Sequence, residues 1–96
     1  MGKAFIVSSY LGPPQLERLA EYADPARTAI EANGDRFIVR ELPAHTYEDG
    51  LIERTIIIEF ASVEQAMAAY ESPAYQAARK LLGPVSRDVR IVEQAD

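Results

Sequence analysis

Residues 56–79 read IIIEFASVEQAMAAYESPAYQAAR, and this stretch decides the fold. Three consecutive isoleucines followed by Glu59 and Phe60 are typical of a strand that is buried on both faces. Ser62, with a glutamine three residues later, forms a capping box, so a helix is predicted directly after the strand. Ser72-Pro73 divides that helix in two, because serine caps a new helix and proline is accepted in its first turn.

The elements on either side of this stretch follow from the same kinds of pattern. Strands are predicted at residues 3–10, 35–42, 53–60 and 89–93. Apolar residues at helical spacing predict a helix over residues 16–30, which Asn33-Gly34 should end. Pro25 should kink or restart this helix, with Asp24 as the cap of the second piece. In the second strand, Phe37 and Val39 are expected to share one face.

The order of elements predicts a ferredoxin-like α+β fold. The order is βαββαβ, and in this arrangement the first and third strands are central while the second and fourth are edges. The composition agrees, because the central strands are apolar on both faces and the edge strands carry charges (Arg36, Arg40, Asp88 and Arg90). We therefore predict a single ferredoxin-like domain over residues 1–96, an antiparallel sheet with its helices on one face.

The other face of this sheet also carries apolar residues and needs a cover. A chain of 96 residues has no further element to supply one. A second copy is the obvious source, so we predict a homodimer whose sheets pack face to face.

The composition limits the partners and the compartment. The formal net charge is −5 without a dense basic cluster, so binding to nucleic acid is not expected. The chain has no cysteine, which fits a reducing cytoplasm and excludes a zinc site built on cysteine sulfur. No stretch approaches the roughly 20 apolar residues of a membrane span, so no membrane partner is predicted.

Several segments together resemble a known family. They are residues 34–40 (GDRFIVR), 58–62 (IEFAS), 69–76 (AYESPAYQ) and 89–93 (VRIVE). Their sequences resemble the domain-of-unknown-function family numbered 1330, which is similar to members of the dimeric α/β barrel superfamily. The resemblance covers nearly the whole chain and implies the same fold and dimer, but no biochemical role.

Arg40 and Glu59 are the predicted catalytic candidates. On neighbouring antiparallel strands they could meet as a charge-assisted pair or line one cavity. A carboxylate flanked by isoleucines and Phe60 would be desolvated and could act as a base, with Arg40 stabilising an oxyanion. The alternative is an ion pair at the sheet margin with a purely structural role.

Four further side chains are predicted to bind a ligand. Ser72 is explained by helix capping, although a helix N-terminus can also hold an anion. Tyr70 and Tyr75 fit the apolar side of their helices, with hydroxyl groups free to reach a partner or a pocket. His45 lies in a polar loop and could act as a base, but a lone histidine makes a poor metal site, so no metal is predicted.

These observations favour a homodimer that binds a small anionic or carbonyl-bearing organic molecule in a pocket beside the sheet. The first alternative is a cofactor-free enzyme of the proton-transfer or oxygenase type that uses Glu59 and Arg40. The second is a non-catalytic structural or interaction module. No phosphate loop or dinucleotide fingerprint occurs in the sequence, and no cofactor is predicted.

Overall fold

The computed structural model describes residues 2–32 and 35–96. The elements in chain order are β1 (Ala4–Tyr10), α1 (Leu16–Glu31), β2 (Arg36–Glu41), β3 (Thr55–Phe60), α2 (Val63–Glu71), α3 (Pro73–Leu82) and β4 (Arg87–Glu93). The four strands form one antiparallel sheet in the order β2-β3-β1-β4. The ferredoxin-like fold is confirmed, with β1 and β3 in the centre as predicted.

The helices cover the sheet face formed by alternate residues of the central strands. On β1 and β3 these residues are Ile6, Tyr10, Ile56, Ile58 and Phe60, all of them buried. They form one core cluster with small and apolar residues of the helices, among them Ala26, Ala29, Ile30, Ala66, Ala69, Ala78 and Leu82. The alanines let the helices approach the sheet closely, so this face is the dry interior of the protein.

The predicted division of the second helix is confirmed, and both of its serines act as caps. The Ser62 hydroxyl accepts a hydrogen bond from the backbone N–H of Gln65 at 3.1 Å, at the start of α2. The Ser72 hydroxyl accepts one from the N–H of Tyr75 at 3.2 Å, and Pro73 follows as the first residue of α3. These bonds satisfy N–H groups that have no partner within the helix.

The prediction that Pro25 restarts the first helix was wrong. Helix α1 runs through Pro25 without interruption, and Asp24 forms an ion pair with Arg27 at 3.2 Å instead of capping a second piece. Pro25 and Glu21 are both exposed, so water can bond the Glu21 carbonyl that proline leaves unpaired. The predicted stop at Asn33-Gly34 lies outside the described residues. No helix of the described chain is long and apolar enough to cross a membrane.

A bulge in β2 contradicts the predicted alternation of that strand. Phe37 pairs with Ile58, but Val39 pairs with Ile57, so one extra residue lies between them. Because directly paired residues share a face, Phe37 faces the helices whereas Val39 faces the opposite side. Strict alternation had predicted that Phe37 and Val39 share a face, and the bulge places them on opposite faces.

Helix α3 ends at a glycine that packs against α1. Gly83 has a positive φ of 77°, and a Cβ atom at this position would lie 2.8 Å from Cδ of Arg18. The backbone conformation requires glycine here, whereas the exposed end of the Arg18 side chain could move away from a Cβ atom. This contact helps to hold the C-terminus of α3 beside the N-terminal part of α1, which positions the aromatic side chains described next.

The second face of the sheet has no cover within the described chain. Its central residues are apolar and only half-buried, namely Phe5, Val7 and Ile57, with the exposed Val39 and Val92 beside them. Glu59 also lies on this face, between Lys3 at 3.3 Å and Arg36 at 3.5 Å. We refer to this surface, defined by these eight residues, as the open face.

Candidate functional site

Two tyrosine hydroxyls meet between the helices and the sheet. Tyr22 projects from α1 and Tyr75 from the first turn of α3, and their hydroxyl oxygens lie 2.7 Å apart. The rings are in edge-to-face contact, with centroids 6.2 Å apart. Edge-to-face packing of this kind fixes the orientation of both rings and therefore of their hydroxyls.

Arg87, the first residue of β4, bonds to both hydroxyls. Its Nη1 donates to the Tyr22 oxygen and to the Tyr75 oxygen, each at 3.3 Å. Its guanidinium carbon lies 5.7 Å from the ring centroid of Tyr10, the residue opposite Arg87 in the sheet register. We call these four residues, Tyr10, Tyr22, Tyr75 and Arg87, the tyrosine–arginine cluster.

The guanidinium of Arg87 has no carboxylate partner among residues 2–32 and 35–96. Its side-chain contacts there include the hydroxyls of Tyr22 and Tyr75 and the rings of Tyr10 and Tyr22, and it also interacts with the Tyr10 hydroxyl. Buried arginines in proteins are normally paired with an anion, because an unpaired charge is costly in a region of low dielectric. The cluster therefore holds a positive charge that phenols solvate but do not neutralise.

Burial and neighbouring groups shift the protonation equilibria of the cluster. Burial raises the pKa of Tyr22, and the adjacent Tyr75 raises it further. Burial also raises the pKa of Tyr10, against the opposing charge of Arg87. Burial alone would lower the pKa of Arg87, but the oxygens of Tyr75 and Tyr22 outweigh it and the net shift is upward. Near neutral pH Tyr10 and Tyr22 are thus neutral phenols beside a charged guanidinium.

Three of the predicted ligand-binding residues lie in or next to the cluster. Tyr75 is one of its members, and the ring of Tyr70 packs against that of Tyr75 with centroids 5.1 Å apart. Ser72 caps the helix that carries Tyr75, and its hydroxyl also donates to the carbonyl of Ala69 at 2.9 Å. Ser72 therefore positions Tyr75, and its hydroxyl is already used by two backbone groups.

Arg40 and Glu59 do not meet as a charge-assisted pair, which was one of the two predicted arrangements. Arg40 pairs in register with Ile56, whereas Glu59 pairs with Arg36. Ile56 faces the helices and Glu59 faces the opposite side, so the two charged residues lie on different faces of the sheet. The bulge in β2 is the cause, since it reverses the facing of every residue that follows it. Arg40 instead stacks over the Phe37 ring at 4.7 Å.

His45 lies in a cavity that is separate from most of the cluster. The cavity has a volume of about 440 Å³ and is formed where the loop between β2 and β3 meets the ends of β1 and β4. Asp49, Glu53 and Asp88 line it together with His45, and Tyr10 is the residue that it shares with the cluster. Three carboxylates make this cavity unfavourable for the anionic form of the predicted ligand.

Sequence reasoning missed Tyr10, Tyr22 and Arg87 as site residues. Tyr22 could have been found, because it lies on the apolar side of the predicted first helix. Arg87 gave no such signal, since the predicted final strand began two residues after it, at Val89. Its role follows from tertiary contacts with residues 12 and 65 positions away in the sequence.

Residues 3–95 match the family described as Domain of unknown function (DUF1330). The chain belongs to this family. The resemblance seen in the sequence is thereby confirmed. No curated protein matches this DUF1330 chain.

Solved structures share the fold of this DUF1330 protein at low sequence identity. RPA0582, a protein of unknown function from Rhodopseudomonas palustris, is 16% identical, with a TM-score of 0.72 over 99% of this chain and 84% of that one. A dimeric protein of unknown function and ferredoxin-like fold from Bacteroides fragilis is 18% identical, with a TM-score of 0.57 over 98% of both chains.

A third similar structure is that of an enzyme. SnoaB, a cofactor-independent oxygenase from Streptomyces nogalater, is 10% identical, with a TM-score of 0.61 over 100% of this chain and 96% of that one. At these identities the three structures establish the fold alone.

Proposed function

We propose that the protein binds a small organic molecule through a carbonyl or anionic oxygen at the tyrosine–arginine cluster. The observation that carries the proposal is the half-buried guanidinium of Arg87, whose described partners are phenols and not a carboxylate. A ligand oxygen would supply the partial or full negative charge that the cluster lacks. The Tyr22–Tyr75 hydroxyl pair adds one further donor for the same oxygen, because the other hydroxyl hydrogen is used in the bond between the two.

The geometry of the cluster suits recognition better than it suits a structural ion pair. A guanidinium presents several N–H donors in one plane. In Arg87, the Nη1 donates to the hydroxyl oxygens of Tyr22 and Tyr75. The phenols are held by ring packing and by the Ser72 cap, so an oxygen placed among them would meet donors that are already oriented. Such preorganisation lowers the entropy cost of binding.

A thermal-shift screen would test this proposal. The library should contain small carboxylates, phenols and diketones, and a true ligand will raise the melting temperature in a saturable way because it binds the folded state. Arg87→Met should abolish the shift, whereas Arg79→Met should preserve it. Arg79 is the matched control because it is exposed on α3 and bonds only to Gln76 in the described contacts.

If Arg87→Met proves too unstable to assay, Arg87→Lys keeps the charge but loses the planar fork, and it should weaken binding rather than abolish folding. A ligand that stabilises the Arg87 variants as well as the wild type would place the binding site elsewhere. A library without any hit would favour the alternative of a structural or interaction module.

We further propose that the open face packs against the same face of a second copy. Its apolar centre of Phe5, Val7 and Ile57 is only half-buried and has no cover in the described chain, and contact with a second copy would remove this surface from water. A solved structure of the same fold is described as dimeric, which supports this assembly.

Light scattering on two matched variants would test the dimer. Val92 on the open face and Met67 on α2 are each 44% exposed, so a glutamate costs each site similar desolvation in the monomer. Val92→Glu should give a monomer at concentrations where Met67→Glu stays dimeric, because only the first would bury a charge in the interface. A wild type that scatters as a monomer at micromolar concentration would rule the dimer out.

A cofactor-free reaction, of the proton-transfer or oxygenase type, is the second candidate function. It is supported by the hydroxyl pair of Tyr22 and Tyr75, which could relay a proton, and by the shared fold with SnoaB. The sequence suggested Glu59 as the base of such a reaction and Arg40 as the oxyanion stabiliser. Their positions on opposite faces of the sheet argue against contact of both with one small ligand. Oxygen consumption and product analysis with each thermal-shift hit would separate turnover from binding, and Glu59→Gln and Arg40→Met would test the two residues directly.

A further inference from the structure

An apolar groove lies beside the start of α1. It shares no lining residue with the tyrosine–arginine cluster or the open face, although the carbonyl of its Arg54 accepts a hydrogen bond from the backbone N–H of Tyr10 at 2.9 Å. The segment Pro13 to Leu19 forms one wall, and the end of β2 with the residues before β3 forms the other. Its volume is about 480 Å³, which is within the range of small-molecule sites. Two of its leucines are strongly exposed, Leu16 at 79% and Leu42 at 60%.

The groove also contains an arginine with an unsatisfied donor. Arg54 lines it, and the Nε of Arg54 is buried without a hydrogen-bond partner among residues 2–32 and 35–96. A buried N–H that has lost its water and gained no acceptor is destabilising. Because this atom has no exposed surface, a ligand acceptor reaches it once the Arg54 side chain turns toward the groove, and the bond formed then removes this cost.

Charges in the lining restrict which acceptor the groove can take. Glu41 and Glu53 line the same groove as Arg54, so the two carboxylates outnumber the guanidinium. A carboxylate ligand would be attracted by one charge and repelled by two, and the formal net charge of −5 adds to the repulsion. A neutral carbonyl oxygen can accept from the Arg54 N–H without that repulsion.

We propose that this groove is a second binding site, specific for uncharged apolar molecules that carry one carbonyl group, such as a ketone, an ester or an amide. The hydrocarbon part packs on the proline and leucine walls, and the carbonyl oxygen accepts a hydrogen bond from Arg54. This site needs no ligand in the tyrosine–arginine cluster, and its test is independent of the test of the function proposed there.

Two probes of the same ring size would test this chemistry on the intact protein. Cyclohexanone is neutral and carries a carbonyl, whereas cyclohexanecarboxylate carries a charge. In two-dimensional amide NMR titrations, cyclohexanone should shift the amides of Leu16, Leu19, Leu42 and Arg54 in a saturable way, and the carboxylate should bind more weakly. Shifts at the cluster instead of the groove would overturn the groove proposal and favour the first site.

Variants of the lining residues would then separate the hydrogen bond from simple apolar contact. Arg54→Met should weaken cyclohexanone binding by roughly tenfold, as expected for loss of a bond from a charged donor. Arg79→Met should not change it. The double variant Glu41→Gln, Glu53→Gln should strengthen binding of the carboxylate severalfold and leave the ketone unchanged.

Three results would refute this assignment. The first is equal affinity for the two probes in the wild type. The second is unchanged ketone binding in Arg54→Met, which would make the groove an unspecific apolar surface. The third is the absence of any shift at the groove, as would occur if a partner copy covered it. Should Arg54→Met fail to fold, Arg54→Leu tests the hydrogen bond, and the double variant Glu41→Gln, Glu53→Gln tests the repulsion of a charged ligand.

Discussion

The two faces of the sheet are made by the same strands but lead to different chemistry. On the helix-covered face, Ile58 and Phe60 are buried in a dry core, and polar side chains gather at one end as the tyrosine–arginine cluster. On the open face, Phe5 and Val7 are half-buried and Glu59 bonds to cations at the rim. The difference places the proposed binding site on the covered face of one chain and the proposed dimer contact on the open face.

Replacing one phenylalanine on each face should separate these roles and have the largest effect. Phe60 is only 2% exposed, so Phe60→Ala should lower the free energy of unfolding by about 3–5 kcal/mol, since truncation leaves a cavity in the core. This loss should not depend on protein concentration. Phe5→Ala should cost less at low concentration, and its cost should grow with concentration because Phe5 would contribute through the proposed dimer.

Urea unfolding at two protein concentrations would measure both variants. The Met67→Glu variant serves as the control for a change on the outer side of the helices. A Phe5→Ala cost that is as large as that of Phe60→Ala, and equally insensitive to concentration, would contradict the division between the faces.

The fold could be predicted because its signals are local. The isoleucine strand, the Ser62 cap and the Ser72-Pro73 break each depend on residues within one helical turn or one strand. Strand order then follows from which strands are apolar on both faces. The bulge in β2 could not be predicted in this way, because it inserts one residue without a glycine or other special residue at the position of Ile38.

The candidate site was predicted only in part, because it depends on tertiary contacts. Tyr75 was found, since its position on α3 follows from the Ser72 cap and helical spacing. Arg87 and its bonds to two tyrosines were not found, because its two hydrogen-bond partners come from separate helices. The charge-assisted pair considered for Arg40 and Glu59 does not form for the same reason that Phe37 and Val39 do not share a face, since one undetected bulge reverses the facing of the strand.

A double-mutant cycle on the two phenols would measure how tightly the covered face holds its cluster. Tyr22→Phe should cost about 1–2 kcal/mol, because it removes a hydroxyl that bonds to Tyr75 and Arg87 in a half-buried setting. Tyr75→Phe should cost a similar amount, and the double variant should cost less than the sum, since the two hydroxyls bond to each other. Strict additivity would show that the hydroxyls contribute independently and that the cluster is not a unit.

Asp35, the residue immediately before β2, should make the stability of the protein depend on pH. Burial raises the pKa of Asp35 from its ordinary value to about 6, and neither carboxylate oxygen has a hydrogen-bond partner among the described residues. Because the folded state then holds its proton more tightly than the unfolded state does, stability is greatest below the ordinary pKa and falls as the pH rises to about 6.

Asp35→Asn should remove this pH dependence of stability, because asparagine does not titrate. The variant should match the wild type in acid and exceed its melting temperature at neutral pH, and the difference should appear over the interval between the ordinary pKa of aspartate and about 6. Thermal unfolding across this range measures it. A difference that is the same at every pH would show that the Asp35 carboxylate does not titrate in this way.

The smallest expected effect tests the placement of Arg40 and Glu59 on opposite faces. Arg40→Met removes a stacking contact with Phe37, and Glu59→Gln removes ion pairs with Lys3 and Arg36, so each change should cost no more than about 1 kcal/mol. Since the two side chains share no partner, their effects should add within about 0.5 kcal/mol in a double-mutant cycle. The pair Arg36→Met and Glu59→Gln is the matched control and should show coupling, because these residues form an ion pair at 3.5 Å. Coupling for Arg40 that equals or exceeds that for Arg36 would mean that the β2 bulge does not persist in solution, and Arg40 and Glu59 would then share a face after all.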